Sequence, residues 1–174
     1  MITATLPPTA DVWGWLAEVP DPEIPVISLV DLGIIRNVAW EDDTLVVTVT
    51  PTYSGCPATA IISLDIERAL REKGIEKLRL KRQLSPAWTT DWISIEGREK
   101  LRAYGIAPPV DGTATDGLLR QRIDRLSGRN NLTIACPRCG STNTEKISQF
   151  GSTPCKANYR CTDCLEPFDY FKCI

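Results

Sequence analysis

Hydrophobic positions along the chain change period several times, and each change marks an element. Asp11 begins a short helical stretch to about Val19, with Trp13 and Leu16 on its apolar side, and Pro20, Pro22 and Pro25 stop it. Asp31-Leu32-Gly33 reads as a turn. Two alternating runs, Ile34–Trp40 and Leu45–Thr50, flank Glu41-Asp42-Asp43 and predict an antiparallel hairpin, with Leu45, Val47 and Val49 on one face. A loop from Pro51 to Pro57 leads into a helix expected over Pro57–Lys73, whose stripe is Ile62, Ile66, Ala69 and Leu70, and Gly74 ends it. Lys77–Arg82 alternates basic residues with Leu78 and Leu80, as a half-exposed strand does. Trp88 and Trp92 fall on a loop as core or interface anchors, and Ser94–Tyr104 is helical with Gly105 past its end.

Beyond that point the periodicity weakens. Ala107–Gly112 is rich in proline and glycine and reads as a linker, and Asp116–Leu126 as a short basic helix. The expected architecture is α+β: a sheet-and-helix domain at residues 1–107, a linker with a short helix at 108–130, and a zinc ribbon at 131–174.

Composition narrows the chemistry. The chain of 174 residues is 43% hydrophobic and 24% charged, as a soluble globular protein is. No apolar run is long enough to span a bilayer, and the first residues do not read as a signal peptide, so a cytoplasmic protein is expected. Histidine is absent, which excludes His-containing zinc sites and Ser-His or Cys-His catalytic pairs. Residues 1–107 carry 11 Lys/Arg against 15 Asp/Glu, and residues 108–174 carry 9 against 7. That slight basic bias suits a protein partner and gives no ground for nucleic acid or membrane binding.

Seven cysteines in such a setting are metal ligands or reactive thiols before they are disulfides. Cys136-Pro137-Arg138-Cys139 and Cys161-Thr162-Asp163-Cys164 are paired CxxC motifs. Each pair turns two thiolates inward from a tight knuckle, and two knuckles complete a tetrahedron. The ligands expected are Cys136, Cys139, Cys161 and Cys164, with zinc ahead of iron and a structural role. The surrounding residues offer few large apolar side chains, so metal replaces much of a core.

Three cysteines remain. Cys56, in Gly55-Cys56-Pro57, precedes the second helix, with Pro57 suited to the first helical position. An N-cap cysteine there meets the positive end of the helix, which favours a thiolate able to bind a soft metal. It is equally readable as a small residue capping the core. Cys155, beside Lys156, is either a loop cysteine or a transient ligand for a second metal or cluster, and Cys173 packs in the ribbon or substitutes as a ligand. Asp21 and Glu23, in Asp21-Pro22-Glu23, order a loop beside Cys56 or act as an acidic pair. With no histidine and no nucleophile arrangement, catalysis is not expected of them.

Asp21-Pro22-Glu23, Asp31-Leu32-Gly33, Gly55-Cys56-Pro57 and Trp88-Thr89 before Ser94-Ile95-Glu96-Gly97-Arg98 together resemble the MIP18 (DUF59) family across about residues 10–105. The C-terminal Phe150-Gly151-Ser152-Thr153-Pro154-Cys155-Lys156 and Glu166–Cys173 resemble the branch of that family encoded with phenylacetyl-CoA epoxidase, a multicomponent oxygenase. Gly97, where many relatives have alanine, departs from the pattern and weakens its helix slightly. The resemblance implies an iron–sulfur assembly or delivery factor in phenylacetate catabolism rather than an enzyme. It implies that Cys56 is the family's cysteine and that Asp21 and Glu23 form its acidic loop. The expected client is the [2Fe–2S] reductase component PaaE, with other epoxidase components or iron–sulfur assembly proteins as further partners and a transient iron–sulfur cluster as cargo. A structural or interaction subunit of the oxygenase is the alternative. Free CxxC pairs would instead suit a thiol oxidoreductase.

Overall fold

The computed structural model describes residues 6–53, 55–110 and 133–172. They fall into two compact units, Met1–Trp88 and Thr89–Ile174.

In the first unit, α1 (Thr9–Leu16) buries Val12 and Leu16, one helical turn apart. Its start differs from the expectation: Pro8 occupies the N-cap and no side chain caps the helix, so Asp11 falls inside the first turn. A proline at that point supplies the required backbone angle without a side-chain acceptor, and an acid in the first turn still faces the positive helix end. The hairpin is β1 (Ile35–Glu41) and β2 (Thr44–Val49), closed by Asp42 at φ 54°. A short polar side chain tolerates that left-handed conformation. After α2 (Thr59–Glu72), β3 (Leu78–Arg82) lies parallel to β2, giving the order β1-β2-β3. The helix is the crossover that a parallel pair requires. Central β2 is buried on both faces from Leu45 to Val49, not on one alone. Ile62, Ile66 and Leu70 form the buried stripe of α2.

The stretch between α1 and β1 has almost no regular structure, yet it lines the core. Ile24, Ile27, Leu29, Leu32 and Ile34 are each 2% exposed or less. Asp21 Oδ1 accepts from the N–H groups of Glu23 (2.9 Å) and Ile24 (2.8 Å). Ser28 and Asp31 each accept the other's backbone N–H through a side-chain oxygen, and the Trp88 indole donates to Leu32 O at 2.9 Å. Buried loop backbone must find partners, and here side chains supply them. Asp21 thus orders the start of its own loop.

In the second unit, Ser94 Oγ caps α3 (Ile95–Tyr104) by accepting from Gly97 N at 2.9 Å, and Gly105 ends it at φ 95°. The expected linker at Ala107 is a strand instead: β4 (Ile106–Ala107) pairs parallel with β7 (Pro167–Phe171). Ala107 is 1% exposed, so its apolar side belongs to the sheet. With β5 (Thr144–Ser148) and β6 (Lys156–Cys161), the order is β4-β7-β6-β5. Ala107, Ile134, Ala157, Phe168 and Tyr170 form a small core with Cys136 and Cys161. The expected helix Asp116–Leu126 lies outside the described residues. No described helix is long and apolar enough to cross a membrane.

Candidate metal centre

Two knuckles project the ribbon cysteines toward one point. In the first, Cys136 O accepts from Gly140 N at 2.9 Å, and Gly140 turns the chain at φ 74°. In the second, Leu165 stands at the same place after the second cysteine, at φ 65°. Cys164 N lies 3.5 Å from Cys161 Sγ, an N–H aimed at sulfur within the knuckle. Asp163 ties the knuckles together by accepting from the Ser141 hydroxyl and the Asn143 amide.

The four sulfurs all lie within 4.8 Å of one another, with Cys136–Cys164 at 3.8 Å and Cys139–Cys161 at 3.6 Å. A tetrahedron with Zn–S bonds of about 2.3 Å has edges of about 3.8 Å, so the set fits one four-coordinate ion. Cys136 and Cys161 are buried and Cys139 and Cys164 exposed, so two ligands face the small core and two face solvent. Without a cation the crowding is unfavourable. The Ser141 N–H favours a Cys139 thiolate, but the Cys164 sulfur, burial and the Cys161 and Cys136 sulfurs push its pKa up to about 12. The N–H groups of Cys164 and Asp163 pull Cys161 down to about 7 against burial. A divalent ion resolves the conflict by compensating several thiolates together.

Cys56 lies elsewhere, in the first unit. The expectation that it caps α2 is corrected: the N-cap is Ala58, and Cys56 sits two residues earlier. Its N–H donates to Tyr53 O at 3.2 Å, and its own carbonyl accepts from both the N–H and hydroxyl of Thr59. A turn therefore intervenes before the helix, and Pro57 belongs to that turn, not to α2. The Cys56 side chain is half-buried. Among the described residues, the ribbon tetrad is the one group of three or more Cys, Asp or Glu side chains whose ligand atoms converge. Cys56, Asp21 and Glu23 are not brought together as such a set.

Cys155 is buried beside the Thr153 hydroxyl, 3.0 Å away, just before β6. Cys161 ends that strand. Six extended residues span roughly 20 Å, so Cys155 stands at the far end of the ribbon from the tetrad. Lys156 directs its ammonium to Asp169 at 3.6 Å. Cys173 lies outside the described residues.

A β-ribbon closed by four converging thiols, on the same chain as a small α+β unit with one loop cysteine, defines a metal-site protein of two units. Residues 122–172 match the family model described as PaaD zinc beta ribbon domain, and residues 9–77 match the one described as iron-sulfur cluster assembly protein. The chain is 45% identical over its full length, and over 98% of the relative's, to a protein of Escherichia coli (strain K12) whose provisional name makes it a subunit of 1,2-phenylacetyl-CoA epoxidase. It is 36% identical to the Fe-S protein maturation auxiliary factor of Porphyromonas gingivalis over 52% of this chain and 88% of that protein. It is 33% identical to the Fe-S protein maturation auxiliary factor YitW of Bacillus subtilis over 48% of this chain and 83% of that protein. The chain therefore belongs to the PaaD branch of the DUF59 iron–sulfur cluster assembly family.

Proposed function

We propose that the protein is an iron–sulfur cluster assembly or delivery factor that matures the [2Fe–2S] reductase component PaaE of a phenylacetyl-CoA epoxidase. One observation carries this reading. The segment matching the assembly family, residues 9–77, contains a single cysteine, Cys56, and it stands half-buried on a loop outside the ribbon tetrad. A closed four-thiolate site holds its ion too firmly to give it away, whereas one thiolate on a loop suits exchange. The tetrad Cys136, Cys139, Cys161 and Cys164 holds structural zinc, which supplies folding energy to the ribbon.

Transfer is ligand exchange without a redox step. A client thiol loses its proton and bonds to iron as the Fe–S bond to Cys56 breaks, and the departing thiolate takes up a proton. Asp21 contributes by ordering its loop through Oδ1, which accepts from the N–H groups of Glu23 and Ile24. Cys155 is buried, so the exchanging role rests first on Cys56.

The test is cluster content of the reductase matured with Cys56→Ala protein, read by its visible absorption and by iron and sulfide analysis. Loss of cluster with zinc and fold intact is expected. Normal cluster content would falsify the role of Cys56. A second reading, a non-catalytic structural or interaction subunit of the oxygenase, is favoured by the name of the Escherichia coli relative. Stoichiometric co-purification with active epoxidase supports that reading, while an assembly factor is dispensable once the reductase is loaded.

A further inference from the structure

The far end of the ribbon carries a feature that neither zinc nor cargo explains. At the β5–β6 hairpin tip, Ile147 is 59% and Phe150 65% exposed. Pairing skips from Lys146 opposite Tyr159 to Ser148 opposite Asn158, so Ile147 is the extra residue of a β-bulge. Glu145, Lys146 and Ile147 are exposed in succession on this edge strand, and the bulge re-aims Ile147. Lys146 Nζ donates to Gln149 Oε1 at 3.0 Å and Lys172 Nζ to Gln149 O at 3.1 Å. Lys172 also sits over the Phe150 ring at 4.6 Å. Two ammonium groups thus converge on one glutamine, and no carboxylate among the described residues pairs with either. Burial holds Lys172 below the usual lysine range, and Lys146 beside it acts the same way against the opposing effect of Cys155.

The tip is held in shape from beneath. Gly151 N donates to Lys156 O at 2.9 Å and Lys172 N to Cys155 O at 2.9 Å. A Cβ on Gly151 would come within 3.1 Å of Asp169 Oδ1 and 3.2 Å of Lys156 Cβ, so the loop packs closely around it. Edge protection accounts for the bulge and Lys146 on edge strand β5. It does not account for an exposed phenyl ring held under Lys172, which extends from β7 on the other side of β6.

We propose that this tip is a docking surface for a segment of a partner protein that carries carboxylates beside apolar side chains. The apolar pair Ile147 and Phe150 supplies buried area, and Lys146 and Lys172 supply the complementary charge. A preformed tip loses little entropy on binding. Taking that partner to be the client rests on the assembly reading; the chemistry of the surface does not.

The experiment uses the full, zinc-loaded chain labelled with 15N and a synthetic probe, acetyl-Glu-Leu-Asp-Phe-Glu-Leu-amide. The acidic peptide is expected to shift the amide signals of Lys146, Ile147, Phe150 and Lys172, while its counterpart with lysines for the acids does not. Charge reversal, Lys146→Glu with Lys172→Glu, weakens the peptide by at least about tenfold and reverses the sign of its salt dependence. Phe150→Ser weakens it without touching the charge. Unchanged zinc content shows that these variants keep the ribbon. Shifts spread away from the tip, equal binding of the basic peptide, or unchanged affinity in the charge-reversed variant overturn the proposal. A maturation assay separates it from the cargo reading. Tip variants raise the concentration needed for half-maximal loading of the reductase but reach the same final content, whereas Cys56→Ala lowers the final content at any concentration. Equal concentration requirements for wild type and tip variants overturn the tip as the client's dock.

Discussion

The ribbon tetrad and the Cys56 loop are two cysteine sites built on opposite plans. In the tetrad, four sulfurs within 4.8 Å are fixed by two knuckles, a shared Asp163 and a small core that includes Cys136 and Cys161. At Cys56 one half-buried thiol sits at a turn whose hydrogen bonds are made by backbone and by Thr59, and none among the described residues involves the sulfur. The first plan makes metal part of the fold, and on the proposed reading the second leaves a ligand for exchange. Breaking each site should therefore have opposite consequences for stability and for function.

The largest effect is expected in the tetrad. Cys161→Ser removes a fully buried ligand from a unit whose core has few large side chains. Structural zinc contributes on the order of 10 kcal/mol to such folds, so the variant ribbon should lose its zinc and its cooperative melting. Zinc analysis and circular dichroism check this. The first unit should remain folded, which the fluorescence of Trp13, Trp15, Trp40 and Trp88 reports. Simultaneous unfolding of both units would break the comparison. Cys56→Ala should leave zinc content and both transitions unchanged.

Acid should separate the two plans as well. Metal holds thiolates, so their pKa values are depressed in the loaded ribbon, and the stability they bring is present at higher pH and lost as pH falls. In the metal-free ribbon Cys139 sits at about 12 and Cys161 at about 7. Zinc uptake thus displaces protons from Cys139 and Cys164, both held above the ordinary thiol range, throughout the neutral range, and from Cys161 as well below about pH 7. Zinc retention, followed with a chromogenic chelator, should fall as pH is lowered and fall more steeply below about 7. Asp163, lowered first by the Ser141 hydroxyl and then by the Asn143 amide, holds its charge beyond that point. The tie between the knuckles is lost only below the ordinary carboxylate range, after the metal has gone.

A smaller effect belongs to the first unit. Asp21→Ala leaves two backbone N–H groups, one of them buried, without their acceptor. The expected cost is about 1–3 kcal/mol. A lower urea midpoint in tryptophan fluorescence, with zinc content unchanged, confirms that this acid serves the fold of its own unit. An unchanged midpoint would return Asp21 to the pool of groups that meet cargo.

How much of this was legible in the chain differs between the sites for a physical reason. CxxC spacing is local, so the four ligands and the strands between them could be read directly. The hairpin and the stripe Ile62, Ile66 and Leu70 were legible because periodicity is local too. Cys56 as a helix cap was misplaced by two residues, because Pro57 is equally suited to a turn and to a first helical position. The core-lining run from Ile24 to Ile34 was hidden by its prolines, which announce where a helix stops but not that side-chain acceptors let the next stretch be buried. Seven apolar residues from Ile24 to Ile34, among and after those prolines, were the available signal. The pairing of β4 with β7 joins residues more than sixty positions apart, and no local pattern encodes it.

The smallest expected effect compares the knuckles with each other. Gly140 and Leu165 hold the same left-handed turn, at φ 74° and 65°, and only glycine does so freely. A side chain in that region costs about 1–2 kcal/mol. Leu165→Gly relieves the strain but gives the unfolded chain more freedom, worth about 0.5–1 kcal/mol in the other direction. The Leu165 side chain is 60% exposed, so little packing is lost. The net expectation is a ribbon more stable by about 0.5–1 kcal/mol, read as zinc held a few-fold tighter in competition with a chelator. Gly140→Ala should shift the same measurement the other way by a similar amount. If Leu165→Gly loosens zinc instead, the second knuckle is held by its leucine and not by backbone conformation, and the likeness between the knuckles ends at their cysteines.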